Sequence, residues 1–479
     1  MFKQPQHLIL LLGHLTLLAL LALAAWFAEE RVLLMDSAYQ LFHDINHESM
    51  LINDNRFSMV LSQLLPWVLI KLHVPLRWLI VAYSLSFILI CYGCYLLTAH
   101  VLNNKSAAGV MTLTMLGVCA TFFHCISETF QLMFYAPLFY ALAQYDSGNV
   151  RWKSILRWVG LVLSETLAFF IHPVALFFIV YLIGYCMIDG RRLRIDTTTV
   201  VTAVTLAILL AVKMLAGTSG HDDSFMPTGE TVRYALTHFF SLPSFEYFRK
   251  EFLIYLFPIV LWILTLVGYV RQHLWLKAVF VGLYVLGFFV LSVVVYWKGD
   301  GPIGMERTYL PLFFFMGLPF FVDELPRLKE WLEWTVFGYF TVMLTLAFIS
   351  LGREYPHYVD RLQEVKHIAE YAREKGQHKL IVTESTADQL FPFRMWGMAL
   401  ESMLYTARDG ADQTVTLYIE EDDFDRSNAD LYQNPDVYVS VNWWKRWEVK
   451  ALNPHYFHLP SQGYVELVKT EKGYEIAPL

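Results

Sequence analysis

The residues able to do chemistry in this 479-residue chain gather in a few short stretches. The densest runs from Asp36 through Tyr39, His43, Asp44, His47, Glu48 and Asp54 to Arg56. On a short helix, Asp36 and Tyr39 share a face at a spacing of three, as do His43 and His47 at four. Such a face offers a carboxylate for general-base work, or nitrogen ligands, although a metal needs convergent ligands that spacing does not show. For His43, His47 and Glu48 a wet loop is the better reading. His124 and Glu128 form a second group across a short turn between apolar stretches. Glu165 lies inside an apolar stretch, where an acid is costly. His172 follows seven residues later on nearly the same helical face. The pair reads as a polar wall of a substrate cavity, with an interhelical hydrogen bond or a proton or ion path as the alternatives. The last group is Lys298, Arg307 and Tyr309, the latter two within Gly304-Met305-Glu306-Arg307-Thr308-Tyr309-Leu310-Pro311.

The elements that must position these groups are membrane helices. The chain is 56% hydrophobic and 16% charged, whereas soluble domains carry charge on about a quarter of their residues. A net charge of -7 offers no basic field for a nucleic-acid backbone, so that partner class is excluded. Apolar stretches at 8–28, 77–102, 107–124, 131–146, 154–171, 174–189, 198–216, 252–270, 275–297, 308–322 and 335–351 predict a polytopic α-helical membrane protein of about eleven spans. Segment 56–75, with Arg56, Gln63, Pro66, Lys71 and His73, suits a helix lying at the interface. Lys3 and the long run from Leu8 to Ala28 read as an uncleaved first helix. Cys91 and Cys94 form a C-x-x-C inside an apolar run and read as small packing residues.

Orientation follows from the basic loops. Lys105, then Arg151, Lys153 and Arg157, then Arg191, Arg192 and Arg194, then Arg271, and finally Arg327 and Lys329 fall on one side, predicted cytoplasmic together with the N-terminus. Glu29 to Asp54, His124 to Glu128, Gly217 to Glu251 and Lys298 to Arg307 fall on the other side. Residues 1–351 are then the transmembrane bundle, with juxtamembrane helices in the first outer loop (29–75). Residues 352–479 form a C-terminal extracytoplasmic α/β domain, with a helix at Val359–Glu374, another at Ala387–Arg408, and strands at Lys379–Thr383, Val415–Glu420, Val437–Val441 and Tyr464–Val468. The run Glu420 to Asp423 reads as a solvated acidic loop.

Asp36-Ser37-Ala38-Tyr39 resembles the Asp-Glu-x-Tyr-Tyr element early in the first outer loop of GT-C superfamily glycosyltransferases, among them protein mannosyltransferases and aminoarabinose-lipid A transferases. Asp54-Asn55-Arg56-Phe57 lies near the place of their second motif, and a helix up to Lys71 follows. Ser37 replaces the usual Glu, and neither proline of the second motif is present. The resemblance implies that Asp36 is the general base and Glu128 a second catalytic acid. It implies a polyprenyl-phosphate sugar donor whose phosphate is held by Arg56, Arg307 and Lys298. Tyr39, Asp54, His124, Glu165, His172 and Tyr309 would line the cavity, and Asp36 and Glu128 would hold a divalent cation, Mg or Mn, if one is used.

The expectation is a GT-C-like enzyme of a bacterial cytoplasmic membrane, moving a sugar from a lipid carrier to an extracytoplasmic lipid, glycan or protein. An O-antigen ligase or polymerase, a transporter or lipid flippase, and an inactive scaffold remain as alternatives. An outward domain free of cysteine and of Asn-x-Ser/Thr sequons fits the bacterial assignment.

Overall fold

The computed structural model describes residues 5–148, 150–189, 192–217, 227–441, 444–471 and 473–479. Lys3, cited for the first helix, and Arg191, one of the cations used for orientation, lie outside these residues. Among the described residues, seven helices are long and apolar enough to cross a membrane: His7–Trp26, Leu76–Val101, Thr197–Leu215, Phe252–Arg271, Trp275–Val295, Pro302–Arg327 and Glu330–Glu374. Their outward faces carry exposed Leu15, Leu18, Ile208, Leu283 and Ile349, a pattern suited to lipid.

The count of eleven is therefore not reached, and the difference has a physical cause. The expected spans at 107–124, 131–146, 154–171 and 174–189 are the helices Lys105–Thr114, Glu128–Gln144, Arg151–Phe169 and Ala175–Met187. At 1.5 Å per residue, three of them reach only about 15, 26 and 20 Å, against a hydrocarbon core of about 30 Å. The fourth, Arg151–Phe169, exposes Ile155, Leu156, Val159 and Leu163 but also carries Arg151, Lys153, Arg157 and a buried Glu165, more charge than a simple apolar span holds. Helix Lys105–Thr114 is buried from Ala107 onward, a wedge inside the bundle, and helical structure gives way near Gly117 to a buried irregular segment. Hydropathy sees apolar residues and cannot tell lipid from protein as their neighbour. Segment 56–75 holds the helix Val60–Lys71, about 18 Å long and too short to cross.

The helix Glu330–Glu374 runs without interruption for 45 residues, through Gly352 and Pro356, where the change of domain was expected. Its last turns bury Tyr358, Arg361, Leu362, Val365, Ile368, Ala369 and Ala372, one stripe at helical spacing, against the C-terminal sheet region. That sheet has β1 (Lys379–Thr383) between β2 (Thr416–Glu420) and β5 (Val465–Thr470), both parallel to it, with β6 (Gly473–Pro478) antiparallel on the β5 edge. β3 (Val437–Val441) and β4 (Trp444–Glu448) form a separate hairpin. β1 is buried at every residue, as a central parallel strand should be. Its Lys379 escapes by donating to the carbonyls of Pro435 and Val437, both at 2.7 Å. The single helix expected over 387–408 is two, Glu384–Leu390 and Met398–Ala407, parted around Pro392, which cannot continue a helical hydrogen-bond ladder.

Candidate functional site

Four separate segments converge beside the helix Met35–His47. Asp36 is the second residue of that helix, and Glu128 opens the helix Glu128–Gln144, whose N-cap Ser127 accepts from the Phe130 N–H. Both carboxylates thus sit where helix dipoles favour negative charge. Arg56 follows the left-handed turn Asp54-Asn55 (φ 51° and 58°) and ion-pairs with Glu128. Arg307, on the helix Pro302–Tyr309, approaches the other Glu128 oxygen at 4.0 Å. His124 Nε2 lies 3.2 Å from Asp36 Oδ2. His124 Nδ1 is buried without a partner, so the tautomer that best fits donates from Nε2 to Asp36.

Exposure separates the members. The Asp36 side chain is 47% exposed, whereas His124 is fully covered and Glu128 is 8% exposed. Asp36 Oδ1 carries no bond among the described residues, so this carboxylate has one oxygen anchored and one open. Burial by surrounding protein pushes its carboxyl up, but the His124 hydrogen bond and charge, then Arg307 and Arg56, hold it below the usual carboxylate range. Glu128 is likewise pushed up by burial and brought below the ordinary value by Arg56 and Arg307. His172 is pushed down to about 3, by burial first and Arg56 second, and is neutral at working pH. Its Nδ1 accepts from the Val174 N–H at 3.2 Å.

Sequence reading missed the residues that hold this constellation. Glu306 does not neutralise its neighbour Arg307. Its buried carboxylate accepts from the N–H groups of Cys119 (2.7 Å), Ala120 (2.8 Å) and Thr121 (3.0 Å), capping the 3-10 turn that leads to His124. Consecutive residues of one helix thereby fix the His124 loop and touch Glu128. Arg31, 2% exposed, donates to the Phe122 carbonyl at 2.7 Å and to Ser84, and stacks on the Phe122 ring. On the other flank, Glu401 of the C-terminal domain accepts the Met35 N–H at 2.8 Å and ion-pairs with buried Arg361. Met35 has φ +46°, a left-handed conformation that a side chain rarely adopts, so the domain clamps a strained residue next to Asp36. None of these bonds has a local sequence signature, since their partners stand tens to hundreds of positions apart. Glu401 alone carried a hint, as a charge in an otherwise apolar run.

Other expected members lie elsewhere or serve packing. Tyr39 is buried against the rings of His43 (4.4 Å between centroids) and Trp396 (5.7 Å). Tyr309 is wholly buried, donates to the Ser244 carbonyl at 2.8 Å and packs on Phe248 and Tyr255, so it braces the helix rather than lining an open cavity. Lys298 is exposed over the Trp297 ring, and no ion pair joins it to Glu128 or Asp36. Asp54 occupies the left-handed turn before Arg56. Glu165 is fully buried with neither carboxylate oxygen bonded among the described residues, seven positions before His172. Glu48 pairs with Lys71 at 2.9 Å, and His43 stacks on His47.

A divalent cation does not fit this arrangement. Glu128 is committed to two arginines and Asp36 to His124, and no group of three candidate ligands occurs among the described residues. The chemistry available is therefore that of an accessible, ionised carboxylate oriented by an imidazole and bordered by two guanidinium groups. No family model, curated protein or solved structure matches the chain.

Proposed function

We propose that the chain is a membrane glycosyltransferase of GT-C type, moving a sugar from a polyprenyl-phosphate carrier to an acceptor on the extracytoplasmic side. The observation that carries this reading is a half-exposed Asp36, held by His124, in the same cluster as a Glu128 that Arg56 and Arg307 approach.

The acceptor O–H or N–H attacks the anomeric carbon, its proton passes to Asp36 Oδ1, and the bond from carbon to phosphate oxygen breaks with its electron pair leaving on the polyprenyl phosphate. The anomeric configuration inverts. Once Asp36 is protonated, the cluster gains one positive charge as the carrier phosphate gains one negative. That coincidence of charge is what a site complementary to the transition state requires. A lowered Asp36 pKa makes a weaker base, yet guarantees that the base is ionised, and His124 fixes its direction. Arg56 and Arg307 are the phosphate-holding cations, and the domain beyond residue 352 shapes the acceptor entrance through its clamp on Met35. The basic loops support an outward position for this cluster, and an outward domain free of cysteine and of Asn-x-Ser/Thr sequons supports a bacterial cytoplasmic membrane.

The test is incubation of purified protein with a panel of polyprenyl-phosphate sugars and membrane-extract acceptors. Donor consumption with an inverted product linkage is expected. Absence of consumption across the panel, with well-folded protein, would reject the reading.

A further inference from the structure

The helix Glu128–Gln144 has Glu128 at one end and Gln144 at the other, about 25 Å away. Around Gln144 a half-open cavity of about 290 Å³ lies among the ends of four helices, remote from Asp36 and unused by sugar transfer. Its lining is mostly polar and carries both signs of charge. Arg157 donates from Nε to the Leu142 carbonyl (3.3 Å) and from Nη2 to the Ala143 carbonyl (2.8 Å) and Thr198 Oγ1 (2.9 Å). Its Nη1 donors have no bond among the described residues. Asp146 and Asp196 are exposed, and each commits only Oδ1, to Gly148 N and to Thr199 respectively, all at 2.8 Å.

Arg157, and Arg194 beside Asp196, stand against the two carboxylates, so the rim carries both signs without a net excess. A purely anionic ligand meets the carboxylates, and a purely cationic one meets Arg157. A molecule bearing a phosphate and an ammonium a few atoms apart satisfies both. The basic residues Arg151, Lys153 and Arg194 flank the cavity, which sets it at headgroup depth, and the adjoining helix exposes Val200 and Val204 to lipid. Apolar chains would lie along that face, which a soluble zwitterion would leave uncovered.

We propose that this cavity binds the headgroup of a zwitterionic phospholipid in the leaflet opposite the Asp36 cluster, with the phosphate on Arg157 and the ammonium between Asp146 and Asp196. The shared chemistry with a soluble source is a phosphate ester carrying a nearby amine. The proposal depends on the chain being embedded in a bilayer and not on glycosyl transfer.

The experiment is thermal unfolding of the full-length, delipidated protein in neutral detergent, with phosphatidylethanolamine, phosphatidylglycerol or water-soluble phosphoethanolamine added at equal concentration. Phosphatidylethanolamine is expected to raise Tm by several degrees, more than phosphatidylglycerol, because a ligand of the folded state stabilises it by mass action. Phosphoethanolamine is expected to leave Tm unchanged. The double variant Asp146→Asn, Asp196→Asn keeps the helix cap at 196, since Asn caps as well as Asp. It should fold with the parent's lipid-free Tm and lose the preference. Equal response to both lipids, a preference that survives in the variant, or full stabilisation by soluble phosphoethanolamine would each overturn the proposal.

Discussion

Two carboxylates at opposite ends of the bundle show how the same side chain becomes structural or reactive. Asp323 receives Tyr185 Oη (2.6 Å), Tyr269 Oη (2.5 Å) and Lys277 Nζ (2.6 Å) on a single oxygen and is 17% exposed. Asp36 receives one imidazole N–H and is 47% exposed. The helix Ala175–Met187 separates them, with His172 just before its start and Tyr185 near its end, about 20 Å apart. An anion neutralised by a lysine and held by two hydroxyls, with little solvent exposure, has little to offer a substrate, and its worth lies in the helices it ties together. An anion with one tethered and one open oxygen keeps its geometry and still accepts a proton.

The largest expected effect breaks the comparison at its reactive side. Asp36→Asn should lower transfer by roughly 10²–10⁴-fold, the usual contribution of a general base, with Tm unchanged. Asp323→Asn should do the reverse, costing about 3–5 kcal/mol of stability by leaving buried Lys277 without its counter-charge, while turnover per folded molecule stays at the parent level. Denaturation and transfer assays on the same preparations separate the two. Next in size, Glu306→Gln removes a carboxylate that accepts three N–H groups and should cost about 2 kcal/mol, read as a lower Tm. Its turnover should fall too, because the His124 loop loses its cap.

The smallest effect is a shift along the pH axis. Asp36 is held below the ordinary carboxylate range, so the parent's rate should stay flat from neutrality through that range and decline only in stronger acid, as Asp36 takes up a proton. Removing His124 by substitution with Phe, or Arg307 by Gln, withdraws a group that favours the ionised form, so the acid limb should move to higher pH. Rate profiles of the variants read the shift directly. An unmoved limb would mean that another group governs it.

Much of the membrane architecture was legible because lipid-facing helices need length and apolarity, and seven of the expected stretches have both. Of the four that fall short, Lys105–Thr114 and Glu128–Gln144 are apolar because protein surrounds them, a distinction that composition does not carry, whereas Arg151–Phe169 exposes Ile155, Leu156, Val159 and Leu163 and falls short by its charges. Strands at 379–383 and 437–441 stand as read, whereas β4 and β6 were missed, since Trp444–Glu448 and Gly473–Pro478 lack a clean alternation. At the site, Asp36, Arg56, His124, Glu128, His172 and Arg307 were named from residue type and position near helix mouths, and they come together. Tyr309 and Lys298 do not join them, because a hydroxyl or an amine at a helix mouth says nothing of which way it turns. Glu306, Arg31 and Glu401 act through backbone groups far away in sequence, where no spacing rule applies.

The most direct measurement is single-turnover transfer from a polyprenyl-phosphate sugar by the parent, Asp36→Asn and Asp323→Asn proteins, each normalised to its folded fraction. The account predicts a silent but fully folded Asp36→Asn beside a less stable Asp323→Asn with parental turnover. Parental turnover in Asp36→Asn would contradict it.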